Sequence, residues 1–312
     1  MDNSSFEARL ESIGLNVSHD TKANYNKTWL TMASLLSGAY VGEHLDLSGS
    51  LGTPGQQARN LQALVNRAPV LDYLRSRRYR VVSIPSPVKT TDVTTHAQVL
   101  AAEGLNSLEA SLLSTSLASR IAPTTVVDLL TDDLRASIDR QFELLAQVST
   151  PPADDPRLVL MHVLSPHPPF VLGQNPDYLD GCFPVCSFWS TTVAETRLSS
   201  DAYAERMSKQ VRALNERVAE AVQRIVQVNP EAIVMVLSDH GARHELSDLD
   251  EHFRAFFAAR TPGKPDTYDG ALSLTNVFRR LISTYFREDL PDLPYAAWAS
   301  DWSQPLRLEP YE

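Results

Sequence analysis

The tetrapeptide Ser238-Asp239-His240-Gly241 carries the clearest chemical signal in this chain, because it directly follows the apolar run Ala232-Ile233-Val234-Met235-Val236-Leu237. Such a run, entered from Asn229-Pro230, reads as a buried strand of a parallel sheet. Ligands on open α/β sheets gather beyond the carboxyl ends of such strands. An Asp and a His side by side there supply an oxygen and a nitrogen donor for a divalent metal, and Gly241 lets the backbone turn tightly. The same residues also fit a plainer assignment, a helix cap followed by a surface histidine.

A second polar cluster is His162-Val163-Leu164-Ser165-Pro166-His167-Pro168-Pro169-Phe170. His162 falls within an apolar strand running from Leu158 to Leu164, and His167 falls just past its end. Prolines at 166, 168 and 169 remove backbone freedom and would hold the His167 imidazole as a preorganised anion-binding group. The alternatives are a rigid proline turn for the loop and a core histidine for His162. Thr28 opens the apolar-periodic segment that ends at Gly38, and a helix N-terminus favours an anion. The plain alternative there is helix-start duty.

Thr28, His167 and the Asp239–His240 pair thus all fall at element ends facing a sheet crevice. Together they suggest hydrolysis or transfer of a phosphate or sulfate ester. The metal would lower the Thr28 hydroxyl pKa and orient it for in-line attack, with His167 neutralising charge on the transferred group. Arg243 and His244 are placed to touch the leaving group or a second anion, or else belong to a solvated loop.

The elements that must position these residues follow from periodicity. Phe6 to Ile13 reads as a short helix, a helix of about 18 residues ends at Leu74, and Tyr79 to Ile84 reads as a strand. A helix-rich stretch runs from His96 to Gln147, and residues 173–190 read as a long loop. The long helix from Asp201 to Val228 carries Met207, Val211, Leu214, Val218 and Val222 on one stripe. The run from His252 to Ala258 fits a strand or a short helix, and Leu274 to Phe286 fits a helix. The tail over residues 290–312, rich in proline, reads as irregular. Strands alternating with longer helices predict an α/β three-layer sandwich with a mainly parallel central sheet, in a single domain over residues 1–312.

Composition narrows the function classes. A chain of 312 residues, 43% hydrophobic, can bury a full core, and a net charge of -10 without a basic stripe argues against nucleic acid. No stretch reaches the roughly 18–20 apolar residues of a membrane span. Met1-Asp2-Asn3-Ser4-Ser5 lacks the features of a signal peptide, so the chain as written reads as cytoplasmic. Cys182 and Cys186 allow a local bridge or two reduced thiols.

These motifs resemble the sulfatase-like branch of the alkaline-phosphatase superfamily, which includes the lipoteichoic-acid phosphoglycerol transferases and the membrane phosphoethanolamine transferases. Sulfatases carry Cys-x-Pro-Ser-Arg-x-x-Leu-Leu-Thr-Gly. Thr28-Trp29-Leu30-Thr31-Met32-Ala33-Ser34-Leu35-Leu36-Ser37-Gly38 matches its length and ending, with Thr28 in the nucleophile place and Thr31 in the Ser place. The Cys, the Pro and the Arg are all absent, which points away from arylsulfatases and towards the Thr-nucleophile transferases. Ser165-Pro166-His167-Pro168-Pro169-Phe170 is similar to the substrate-binding His-x-Pro-Phe motif, and Asp239-His240 to the metal motif. The segment from Asn276 to Arg280, with Tyr285-Phe286, resembles the branch's C-terminal part.

The resemblance implies an alkaline-phosphatase-like fold with Thr28 as nucleophile and Thr28, Asp239 and His240 on a divalent ion (Mn²⁺, Zn²⁺, Ca²⁺ or Mg²⁺). His167, His162 and Arg243 would bind substrate. That substrate would be a phosphoglycerol or phosphoethanolamine ester, lipid- or glycan-linked, handled by a membrane-anchored enzyme with a periplasmic or extracellular domain. Other readings are a sulfuric ester hydrolase, a phosphodiesterase or phosphomutase on the same fold, and a non-catalytic or truncated relative. The family also places an acidic ligand after a first strand, and no apolar strand precedes Phe6. The expectation is therefore a chain lacking that N-terminal part, with Asp20, Asp92 or Glu245 as substitutes for the carboxylate, Asp92 the best placed.

Overall fold

The computed structural model describes residues 2–49, 51–86, 89–101, 104–105, 107–149, 156–172, 196, 198–242 and 249–311. The chain opens with helix α1 (Ser4–Ser12), strands β1 (Asn16–Ser18) and β2 (Thr21–Lys22), and helix α2 (Thr28–Ser37). Next come α3 (Pro54–Asn66), α4 (Pro69–Ser76), β3 (Arg80–Ile84) and β4 (Gln98–Val99). Helices α5 (Ser107–Thr115), α6 (Leu117–Ile121) and α7 (Pro123–Val148) lead into β5 (Arg157–Met161). The remainder runs α8 (Ser200–Val228), β6 (Val234–Leu237), α9 (Leu249–Phe253), β7 (Phe257–Arg260) and β8 (Leu272–Ser273). Helix α10 (Val277–Phe286) and strands β9 (Ala297–Asp301) and β10 (Gln304–Tyr311) complete it.

Local chemistry explains the boundaries. Helix α2 stops at Gly38, whose φ of 61° is the left-handed conformation that lets its N–H return to the carbonyls of Ser34 and Leu35. The single helix expected before Leu74 is instead two, α3 and α4. Pro69 allows no helical N–H, and Ala68 ahead of it is extended (φ -62°, ψ 130°). Helix α3 starts on a reciprocal cap between Thr53 and Gln56, with Pro54 in its first turn.

Alternation along the strands assembles the layers. On β6, Met235 and Leu237 pack with Leu30, Leu36, Leu61, Leu71 and Phe278 of α2, α3, α4 and α10. Val234 and Val236 point the other way, to Leu10 of α1 and Val218 and Val222 of α8. Leu158 and Leu160 of β5 join the first of these clusters, so β5 and β6 bury residues against one helix layer. Helices α7 and α8 lie together on the opposite side, tied by Arg217 Nε to Asp139 Oδ1 at 2.8 Å.

The structure corrects the sheet. Among the described residues there is no single parallel sheet: β4-β3-β5 is parallel, whereas β1-β7-β6 is antiparallel at both pairings. Strand β6 was expected in a parallel sheet. Among its described residues, the connection after it carries the short α9 back to β7, and no crossover helix of the kind a parallel neighbour needs. The strand expected to reach Leu164 ends at Met161, so His162 sits just past it. The ambiguous run after His252 resolves into the end of α9 followed by β7.

The irregular tail is also corrected, since β9 and β10 form an antiparallel pair. Its prolines misled the sequence reading: Pro305 and Pro310 lie in β10, whose only partner strand among the described residues is β9, and an edge tolerates a residue without N–H. The hairpin is bound to the segment before α2. Trp298 stacks on Tyr25 at 5.5 Å, its N–H donates to the Asn24 carbonyl at 2.9 Å, and Ser300 N–H donates to Asn26 Oδ1 at 3.0 Å.

Asn24 is 1% exposed and acts as the knot of this region. Its Oδ1 accepts from Thr275 N and Oγ1 at 3.0 and 2.8 Å, and its Nδ2 donates to the Ala296 carbonyl at 2.8 Å. Asn24→Ala is expected to cost roughly 2–4 kcal/mol, because it strands several buried partners at once. Urea unfolding measures this, and a loss below about 0.5 kcal/mol would show that the knot is dispensable.

Candidate active site

Thr28 occupies the first position of α2, behind Lys27 in extended backbone (φ -134°, ψ 132°), and no side chain caps this helix. Its Oγ1 lies 3.3 Å from His240 Nε2. The same Nε2 lies 3.3 Å from Asp239 Oδ2. Residues more than two hundred positions apart in sequence thus meet at one point, well inside the 10 Å that a shared metal site demands.

Electrostatics give this meeting its meaning. His240 Nδ1 lies 2.8 Å from the Gly241 carbonyl, which makes Nδ1 the donor and turns Nε2 towards Thr28 and Asp239. Nε2 and a carboxylate oxygen at 3.3 Å repel unless a positive centre, a proton or a metal cation, lies between or beside them. The side chains are 12% and 23% exposed for His240 and Asp239, so water screens that repulsion incompletely. Gly241 is required here by close approach. A Cβ at this residue would collide with the backbone carbonyls of Glu251 and Arg254.

His162 lies just past the end of β5, on the other sheet. Its Nδ1 lies 2.9 Å from Ser86 Oγ and 3.0 Å from Thr91 Oγ1, beyond the end of β3. Burial holds its pKa below the ordinary histidine value, and the Asp239 carboxylate acts in the opposite direction. Either hydroxyl can donate to Nδ1 or accept a proton from it, so both tautomers of a neutral ring fit these contacts.

His167 lies on the loop after β5, with Nδ1 2.5 Å from the Pro168 carbonyl. Arg243, His244, Glu245, Cys182, Cys186 and the loop expected over 173–190 lie outside the described residues. Asp20 is an exposed loop residue whose carbonyl accepts the Leu272 N–H at 2.9 Å. A cavity of about 460 Å³ lined by Tyr25, Tyr40, Leu47, Leu51, Trp298 and Leu306 does not include the cluster.

With this geometry in place, solved structures supply the parallel. The chain matches the C-terminal periplasmic domain of the phosphoethanolamine transferase EptC from Campylobacter jejuni at a TM-score of 0.52 and 11% identity, covering 98% of this chain and 86% of that one. The C-terminal periplasmic domain of EcEptC from Escherichia coli, solved in complex with Zn, matches at 0.52 and 12% identity, with 98% and 85% covered. The chain shares the fold of these two domains. No protein-family model matches the sequence, and no curated protein matches it.

Within this fold, Thr28, Asp239 and His240 offer two oxygens and one nitrogen, a donor set that suits zinc. Three protein donors are what a catalytic ion keeps when its remaining position is open to substrate. Only two of the three are titratable, and no group of three or more His, Cys, Asp or Glu gathers among the described residues. Asp92 accordingly does not complete the set. Its Oδ1 is buried without a hydrogen-bond partner among the described residues.

Sequence reasoning missed Lys27 and Trp302. Lys27 is 5% exposed, and its Nζ lies 4.4 Å from the Trp302 ring, which also meets Trp29 edge-on at 5.3 Å. Their meeting depends on the hairpin that had been read as an irregular tail. A basic residue directly before Thr28 was the one local signal.

Burial pushes the Asp92 carboxyl from 3.8 up to about 7, against the pull of Lys89. The folded state then holds a proton that the unfolded chain has lost, so this group's contribution to stability falls as pH rises from about 4 to about 7. Asp92→Asn is expected to stabilise the chain at pH 8 by on the order of 1 kcal/mol, solvent screening included, with no gain near pH 4. Denaturation midpoints of both proteins across this range would show it, and a pH-independent difference would refute it.

Proposed function

We propose that this chain transfers or hydrolyses a phosphate ester of the phosphoethanolamine or phosphoglycerol kind, in a metal-dependent reaction with Thr28 as nucleophile. The observation that carries the reading is the convergence of Thr28 Oγ1 and Asp239 Oδ2 on His240 Nε2, with Nδ1 held by the Gly241 carbonyl. Asp239, His240 and Thr28 would hold the ion, which supplies Lewis-acid polarisation of the phosphoryl group and a lowered hydroxyl pKa.

The chain's own residues do the rest. Thr28 presents its oxygen from the first turn of α2, where the uncapped backbone N–H groups and the helix dipole favour a phosphoryl anion. Attack forms the Thr28 Oγ–phosphorus bond as the ester P–O bond breaks, and the leaving alcohol takes up a proton. Water or a second alcohol then breaks the bond to Thr28 and restores its hydroxyl. His167 and His162 would contact the phosphoryl oxygens, with Arg243 as a further candidate. Thr28 in place of a formylglycine-forming Cys favours phosphate over sulfate esters. The periplasmic neighbours support a location outside the cytoplasmic membrane, and no helix among the described residues is long and apolar enough to cross one.

The test combines calorimetry with a screen of phosphodiester, phosphomonoester and sulfate substrates in the presence of Mn²⁺, Zn²⁺, Mg²⁺ or Ca²⁺. Thr28→Ala is expected to lower turnover by roughly 10³-fold or more while still binding metal. Asp239→Asn and His240→Ala should abolish metal binding itself. Turnover surviving in Thr28→Ala would reject the nucleophile, and an unmutated chain that binds none of these ions would favour a non-catalytic role.

A further inference from the structure

Two glutamines with no part in this chemistry are among the most deeply buried polar residues of the chain: Gln141 of α7 is 1% exposed and Gln210 of α8 is 0% exposed. A buried primary amide is costly unless its groups are met. Gln210 is met by one short segment, residues 166–172, and Gln141 by the backbone just past β3 and β5. Gln210 Oε1 accepts the Leu172 N–H at 2.8 Å, and its Nε2 faces the carbonyls of Pro166, His167 and Pro169 at 3.4, 3.2 and 3.3 Å. Gln141 Nε2 donates to the carbonyls of Pro85 and His162, both at 2.8 Å.

The arrangement follows from the sequence of that loop. Prolines at 166, 168 and 169 bring carbonyls without N–H groups, so the loop cannot satisfy itself through a local ladder. Donors must come from outside. Phe170, Val171 and Leu172 anchor the loop in the apolar cluster with Leu134, Ile138 and Tyr203, which brings its carbonyls over the α7–α8 layer where the two amides stand. Each glutamine thus touches the main chain of a histidine proposed to meet substrate: Gln210 at His167 and Gln141 at His162.

We infer that Gln210 is the positioning residue of the anion-binding loop, fixing where the His167 imidazole stands, and that Gln141 does the same for His162 at the ends of β3 and β5. The inference rests on the reading of the site as a phosphoryl-transfer centre. Neither glutamine touches substrate; each acts through the backbone of its histidine.

A double-mutant cycle read by calorimetry of inorganic phosphate binding to the Zn²⁺-loaded full chain tests it. Gln210→Leu is expected to weaken phosphate roughly 10- to 100-fold and to leave Zn²⁺ affinity within about twofold. Once His167→Ala is present, the same substitution should have no further effect. Equal weakening in both backgrounds, or none in the first, overturns the positioning role. Hydrogen exchange on the unmutated chain gives a readout that does not depend on a variant folding. The Leu172 amide is expected to exchange as slowly as the core amides of α8, and loop-like exchange overturns the proposal. An unmutated chain that binds no phosphate would defeat the functional reading, while the exchange measurement would still decide whether Gln210 holds the loop.

Discussion

Where the chain leaves β6, the backbone carbonyls of Glu251 and Arg254 crowd residue 241 so closely that no side chain fits. The turn made there, with the Gly241 N–H donating to the His252 carbonyl at 3.0 Å, sets the direction of His240. Its Nδ1 meets the next carbonyl, and its Nε2 is carried to Thr28 and Asp239. The site therefore rests on a main-chain contact between β6 and α9 more than on any pairing of side chains. A substitution at Gly241 would act on every atom of the cluster at once, through the backbone.

Around that turn the stabilising pattern divides into two kinds. Apolar alternation on β5, β6 and β7 builds the layers and is indifferent to which side chain fills a given place. Loops near the site are held differently, by buried amides that each close several backbone groups: Asn24 at the hairpin, Asn66 with the 92–95 segment, Gln141 and Gln210 at the proline loop. Irregular backbone can be buried only when its polar groups find partners. These amides let the chain keep non-repeating structure where chemistry needs it.

The parts legible in the sequence were those written in consecutive residues. The helix that Thr28 opens was legible from its apolar periodicity and the Gly38 that closes it, and the strand before Asp239-His240 from its apolar run, while periodicity alone did not single out Thr28. Strand direction was not legible, because Val234 to Leu237 has the same apolar pattern whether its neighbour runs parallel or antiparallel. The two-helix break at Pro69 was readable from the pre-proline rule, yet the continuous apolar periodicity on either side hid it. Trp302, Asn24 and Gln210 could not be found at all by local reading. Their roles exist only through partners that the fold brings from far along the chain, such as Ala296 for Asn24 and Leu172 for Gln210.

Among the described residues, β5 and β6 carry no hydrogen bonds to each other, although both pack on the same helix layer. His162 and His167 belong to the β5 side of that seam, and Asp239 and His240 to the β6 side. Thr28 stands on the layer that spans both. A molecule gripped by both pairs of residues would act as a cross-brace over the seam, so its binding free energy would add to the cohesion of the two sheets. Conversely, any slippage of one sheet against the other would be read at once as a change in the distances that define the site, which makes the seam a mechanical gauge of occupancy.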